Sequence, residues 1–135
     1  MITITRADTR PIQNQGDIVL VRKVVRDWAL ELQFSIVDQT KIITAASELA
    51  RNAFEYGKGG TMKMEALLNG IRKGLRLTFE DQGPGIENME LALTDGYTTG
   101  GGLGMGLTGA RRLVNEFDIK STPGQGTTVT ITKWK

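Results

Sequence analysis

The chain has 135 residues, 39% apolar and 24% charged, with a formal net charge of +2. This is the size and balance of one globular domain with a single core, and its scattered basic residues do not mark a nucleic-acid binder. With no cysteine and no histidine, it cannot form disulfides, thiolates, serine–histidine triads, histidine zinc sites or an internal phosphohistidine, so a general base must be a carboxylate, a lysine or a tyrosine.

Ile2 and Ile4 alternate with threonines and predict a short first strand. Gly16 and Asp17 offer a helix start, and Ile18, Val21, Val25, Trp28 and Leu32 follow at spacings of three and four. That stripe is core or a homodimer interface. Ser35 and Asp38 fit a capping box for a second helix with Ile42, Ala46, Leu49 and Ala53 on one face, ending at Tyr56 with Gly57 as a left-handed cap. Thr61–Leu68 and Leu75–Glu80 alternate with period two and predict a β-hairpin, with turn signals at Asn69-Gly70 and Lys73-Gly74.

Residues 81–103 read as a glycine-rich loop with at most a short helix near Met89–Leu93, and a loop this long inside a domain is usually functional. A helix resumes near Gly104 with Leu107, Ala110, Val114 and Phe117 on its stripe. Strands follow at Asp118–Thr122 and Thr127–Thr132, around a Pro123-Gly124 turn. No repeat or linker interrupts the order, so residues 1–135 read as one domain. Its expected class is α/β (α+β): a two-layer sandwich with a mixed, mostly antiparallel sheet and helices on one face. No apolar run approaches the roughly 20 residues of a membrane-spanning helix, and Met1–Arg10 lacks a signal peptide's apolar core. A cytoplasmic protein with no membrane partner is the expectation.

Three clusters carry possible chemistry. Glu48 and Asn52 lie four apart, hence on one helix face. Asn52 can offer a hard oxygen to magnesium, and Glu48 can take a proton from a hydroxyl. Asp81, at a strand end before Gly83 and Gly85, is acceptor-only when ionised and can accept from an exocyclic amine such as adenine's. Gly100-Gly101-Gly102-Leu103-Gly104-Met105-Gly106 leads into a helix, and successive backbone N–H groups at a helix start suit phosphates. Alone, each has an ordinary alternative: a solvated helix face, a turn, a linker. The sequence has no Gly-Lys-Ser/Thr P-loop. Its Gly104, Gly106 and Gly109 do not follow a strand directly, as a Rossmann fingerprint requires.

Together, in this order, the clusters resemble the GHKL ATPases, the Bergerat fold of gyrase, Hsp90, MutL and histidine-kinase catalytic domains. Glu48 and Asn52 match the N box, Asp81, Gly83 and Gly85 the G1 box, Gly100–Gly106 the G2 box, and Gly126-Thr127 the closing Gly-Thr element. Ser47-Glu-Leu-Ala-Arg-Asn52, Asp81-Gln-Gly-Pro-Gly85 and the short length are most similar to the anti-sigma-factor serine/threonine kinases, in particular the switch-kinase type of the bacterial stressosome.

The resemblance implies ATP and Mg2+ as cofactors, with Glu48 as catalytic base and Asn52 holding magnesium. It implies adenine at Asp81 and Thr127, beside Gly83 and Gly85, and phosphates under a lid from Thr99 and Gly100 to Gly106. It implies STAS-domain proteins as substrates and a PP2C-type phosphatase as a second partner. One departure stands out. Histidine-kinase members carry a basic residue three after the asparagine, where this chain has Glu55; Lys58, Arg111 and Arg112 are the alternative phosphate contacts. Competing expectations are an ATP-dependent binding module acting by sequestration, a stand-alone ATPase, and a histidine-kinase catalytic domain with its phosphoacceptor on another chain.

Overall fold

The computed structural model of the chain describes residues 1–86 and 103–135. In chain order the elements are β1 (Ile2–Ile12), α1 (Gln15–Glu31), α2 (Ile36–Glu55), β2 (Gly60–Asn69), β3 (Arg72–Asp81), α3 (Leu103–Arg112), β4 (Glu116–Thr122) and β5 (Gly126–Trp134). The short helix expected near Met89–Leu93 lies outside the described residues. The strands form one sheet in the order β1-β2-β3-β5-β4, giving the expected α+β sandwich.

All four strand pairings are antiparallel, where a mixed sheet was expected. The helical hairpin of α1 and α2 returns the chain to the end where β1 finished, so Ile12 pairs with Gly60. β3 and β4 run parallel to each other, but β5 lies between them and pairs antiparallel with both.

Local chemistry sets most of the element ends. α1 starts at Gln15, one residue earlier than Gly16 suggests. Asn14 is its N-cap, accepting from the Asp17 N–H at 2.9 Å, while the Asp17 carboxylate accepts from the Gln13 N–H at 2.8 Å. Ser35 caps α2 as expected, its Oγ accepting from the Asp38 N–H at 3.1 Å. The hairpin turns at Gly70, with φ 65, and Asn69 pairs with Arg72. Lys73-Gly74 is therefore strand rather than turn. Gly74 is needed there because the Trp134 ring covers it: a Cβ would lie 2.5 Å from Trp134 Cε3.

β1 is longer than predicted because Arg6, on its helix-facing side, stacks over the Trp28 ring at 4.1 Å and pairs with Glu31. At the other end, α3 stops at Arg112. Val114 falls in the following turn and Phe117 on β4; both pack against the core, but not from the helix. Their apolar spacing imitated a helical stripe across a chain reversal.

The core fills the space between the helices and one sheet face. Met62, Met64, Leu75, Leu77, Phe79, Val129 and Ile131 supply the sheet side. Ile18, Val21, Val25 and Trp28 supply α1, and Ile42, Ala46, Leu49 and Ala53 supply α2. The α1 stripe is thus internal, not a dimer contact. The opposite sheet face is mostly polar, with Leu67 and Trp134 buried beside Gly74 at one end. There Glu65 is held by Arg76 at 2.9 Å, which lowers the Glu65 carboxyl pKa through that hydrogen bond.

Trp28 is 2% exposed. Trp28→Ala is expected to cost about 3–5 kcal/mol through lost burial and a residual cavity, read as a lower urea midpoint with an unchanged denaturant slope.

Candidate nucleotide-binding site

Strand parity builds the site. On β3 the residues facing the helices are Leu75, Leu77, Phe79 and, at the strand end, Asp81. The register pairs Asp81 with Thr127 on β5, and Thr127 with Ser121 on β4. These three polar side chains form one row on the helix-facing side, where the apolar rows stop. α2 crosses above them and contributes Leu49, Asn52, Ala53 and Tyr56 to the same cleft. Phe79, Val129 and Leu107 complete the apolar wall, with Pro84, Gly85 and Ile86 at the rim. The cleft encloses a cavity of about 40 Å³.

Asp81 sits in a nest of backbone. Its Oδ1 accepts from the Gly83 N–H at 3.0 Å. A Cβ on Gly57 would lie 2.3 Å from Asp81 Cγ, and one on Gly83 would lie 2.6 Å from Gly57 Cα. Gly57 is therefore not the left-handed cap expected from the sequence. Positive φ occurs instead at Lys58 (60) and Gly59 (102), while Gly57 lets α2 approach the carboxylate. Gly126, at φ 106, presses on the Asp81 carbonyl, with a hypothetical Cβ 2.1 Å from that oxygen. Burial raises the Asp81 carboxyl above its ordinary pKa, against the N–H groups of Gly83 and Thr127 that favour the ionised form; neighbouring Glu80 adds to the rise.

Two polar atoms in the cleft wall have no partner: Asn52 Nδ2 and Tyr56 Oη, both buried. They lie four apart on α2, so they share a face. A buried unpaired polar group costs about 1–3 kcal/mol, which a ligand offering polar atoms removes. The two ends of an amide are interchangeable in placement, so Asn52 can turn either a donor toward phosphate or an oxygen toward a metal ion. Among the described residues no cluster of three acidic, histidine or cysteine side chains can hold a metal alone.

Glu48 stands one turn before Asn52 on α2, about 6 Å along the axis. It is outside the cleft wall and pairs with Arg51 at 3.3 Å. Gly85 is fixed at φ 75 against the Thr122 carbonyl. Leu103, Gly104, Met105 and Gly106 belong to the start of α3, so the helix begins one residue before Gly104. Thr99, Gly100, Gly101 and Gly102 lie outside the described residues. Of the alternative cations, Lys58 follows the cleft residue Gly57, and Arg111 and Arg112 close α3.

Two contributors escaped the sequence reading. Tyr56 was detectable, since it continues the Glu48–Asn52 face by one more turn. Ser121 was not. Its hydroxyl lies 2.8 Å from Thr127 Oγ1 and accepts from the Ile86 N–H at 2.8 Å, tying the Gly83–Ile86 loop to β4 and β5.

An antiparallel sheet backed by α2, with a strand-end aspartate facing a helix asparagine across an apolar cleft, defines a Bergerat-type nucleotide site. The chain belongs to the histidine kinase-, DNA gyrase B-, and HSP90-like ATPase family, whose model matches residues 37–135. It is 45% identical to the serine/threonine-protein kinase RsbT of Bacillus subtilis (strain 168), over 91% of this chain and 92% of that protein. It is 34% identical to the anti-sigma F factor of Thermoanaerobacter sp. (strain X514), over 84% of this chain and 82% of the other. Among solved structures, the RsbU and RsbW domains of Rv1364c from Mycobacterium tuberculosis share the fold with a TM-score of 0.65 at 24% identity. That match covers 97% of this chain and 33% of the other.

The raised Asp81 pKa has a sign. A carboxyl whose folded value exceeds its unfolded value contributes stability only at low pH, and that contribution is lost as pH rises through the folded value. Ionised Asp81 therefore costs stability at neutral pH. Without nucleotide, Asp81→Asn is expected to melt higher than wild type at pH 7, with the gap closing toward pH 4; a lower melting temperature at pH 7 would contradict the burial argument. Gly126→Ala combines a disfavoured φ with a backbone clash, and is expected to lose more than about 2 kcal/mol in chemical denaturation.

Proposed function

We propose that the chain is an ATP-dependent protein serine/threonine kinase. It transfers the γ-phosphoryl group to a serine or threonine of a STAS-domain protein and switches between partners, one of them a PP2C-type phosphatase, in the cytoplasm. The observation that carries the nucleotide reading is the Asp81 carboxylate in an apolar cleft, facing the unpartnered Asn52 and Tyr56 side chains. The kinase reading is supported by 45% identity to a serine/threonine-protein kinase along nearly the whole chain.

Each residue then has a task. Asp81, ionised, accepts from the adenine amine, and Thr127 beside it completes the polar edge. Gly83 and Gly85 keep the loop close enough for the base to reach that edge. Asn52 would hold magnesium through its amide oxygen, and the ion would supply positive charge against that of the phosphates. The phosphates are assigned to the glycine-rich segment Thr99, Gly100, Gly101, Gly102, Leu103, Gly104, Met105 and Gly106, of which residues 103–106 open α3, where a helix start favours anions. Glu48 takes the hydroxyl proton of the docked serine as its oxygen bonds to the γ-phosphorus. The bond to the bridging oxygen breaks, and ADP leaves. Phosphoryl transfer depends mostly on positioning and charge stabilisation, so this small set is sufficient.

The Glu48–Arg51 pair favours a second reading, an ATP-dependent binding module acting by sequestration. In the structure the carboxylate is engaged by a guanidinium and not aimed into the cleft. That pair is exposed and weak, and a catalytic carboxylate often reaches its working geometry only in the substrate complex.

Incubation with γ-labelled ATP, magnesium and purified STAS-domain proteins separates the two. The kinase places label on a partner serine or threonine. Glu48→Gln is expected to keep ATP affinity and lose about 10²–10⁴-fold in transfer. Asp81→Asn is expected to lose ATP binding by calorimetry while remaining folded. Nucleotide binding with near-normal transfer by Glu48→Gln removes Glu48 from the chemistry. Partner binding without label in any case favours the module.

A further inference from the structure

The side of α1 turned away from the core is not an ordinary polar surface. Nine large apolar side chains are strongly exposed among the described residues, and five of them are Val19, Leu20 and Leu30 on α1 and Ile36 and Val37 at the start of α2. Val19 and Leu30 are 67% and 53% exposed. With Lys23 and Arg26, both exposed, they follow spacings of four, three and four, which is one line along a helix. That line runs opposite the buried Ile18, Val21, Val25 and Trp28. It is about 16 Å long at 1.5 Å per residue, with an apolar side chain at each end and two cations between.

The cations lack acidic partners. Elsewhere near α1, Arg6 pairs with Glu31, Arg10 with Asp8 and Lys133 with Asp38. Among the described residues neither Lys23 nor Arg26 has an ion pair. The nearest acid in sequence, Asp27, lies beside the line and pairs with neither.

We propose that this face of α1 docks an acidic amphipathic helix of another protein. The partner carries two carboxylates between apolar residues, at positions i, i+4, i+7 and i+11. Charge decides the occupant. A second copy of this chain meeting α1 against α1 would bring Lys23 and Arg26 onto the partner copy's own cations, which disfavours self-association here. An acidic helix gains two interhelical pairs, and its flanking apolar residues cover Val19 and Leu30. None of these residues lines the nucleotide cleft, so the docking face stands apart from the kinase reading.

The test uses the full chain and a fluorescein-labelled 18-residue helical peptide with Leu, Glu, Glu and Leu at i, i+4, i+7 and i+11. The spacing is palindromic, so one peptide samples both directions. Anisotropy is expected to show saturable binding with Kd on the order of 10 μM. Lys23→Glu/Arg26→Glu should weaken it at least about tenfold, and a peptide with Lys in place of both Glu should bind that variant but not the wild type. Val19→Ser/Leu30→Ser should weaken binding of the original peptide. Circular dichroism of both variants should match wild type, since all four side chains are exposed. Absence of saturable binding, or equal affinity of wild type and charge-reversed chain, overturns the proposal. So does Lys23- and Arg26-dependent binding to phosphatidylserine vesicles with none to the peptide, which assigns the face to a membrane surface.

Discussion

A half-buried carboxylate at the end of β3 imposes the tightest constraint in this molecule. Asp81 lies beside Phe79, Val129 and Leu107, in surroundings that favour its neutral form. What offsets the burial is backbone. The Gly83 N–H donates to it, and Gly57 and Gly126 let α2 and β5 close around it without a side chain between. A Cβ at any of these three glycines meets an atom within 2.6 Å. The glycines of this region therefore act less as hinges than as places where elements must touch.

α2 links the constraint to the rest of the fold. One side carries Ile42, Ala46, Leu49 and Ala53 into the core, where α2 packs against α1, α3 and the sheet. The adjoining side presents Glu48, Asn52 and Tyr56 at successive turns. The helix that stabilises the domain thus also spaces the polar groups of the site. Its distance from β3 is set by Gly57, and its start is fixed by Ser35 and by the Lys133–Asp38 bridge at 3.4 Å to the far end of β5. A shift of α2 large enough to move Asn52 would disturb both ends.

Much of this was legible from residues alone, and the failures share a cause. Period-two alternation located β2 and β3, and the three-four spacing located α1 and α2. The glycine-punctuated cluster after β3 pointed to the cleft between β3 and α2. The readings that missed depended on a partner distant in sequence. Gly74 looked like a turn because glycine before an apolar residue usually is one, yet Trp134 lies over it. Gly57 looked like a cap because it follows a helix, yet it faces Asp81. Val114 and Phe117 continued the spacing of α3 although the chain had already reversed. β1 looked short because the isoleucine–threonine alternation ends at Thr5, yet Arg6 on its helix-facing side joins it to Trp28 and Glu31.

The sequence by itself determined which faces are apolar and where α2 begins, and it singled out Asp81, Asn52 and Thr127, which line one cleft. Those properties are local, carried by side-chain period, caps and short motifs, so they need no knowledge of distant neighbours. Only the tertiary structure decided that the sheet is antiparallel throughout, with β5 between β3 and β4. It alone placed Ser121 in the row of Asp81 and Thr127, and left Tyr56 and Asn52 facing the cleft with unpaired polar atoms. Those outcomes depend on strand register and on the approach of α2 to β3, which join residues tens of positions apart, and no spacing within a single element encodes them.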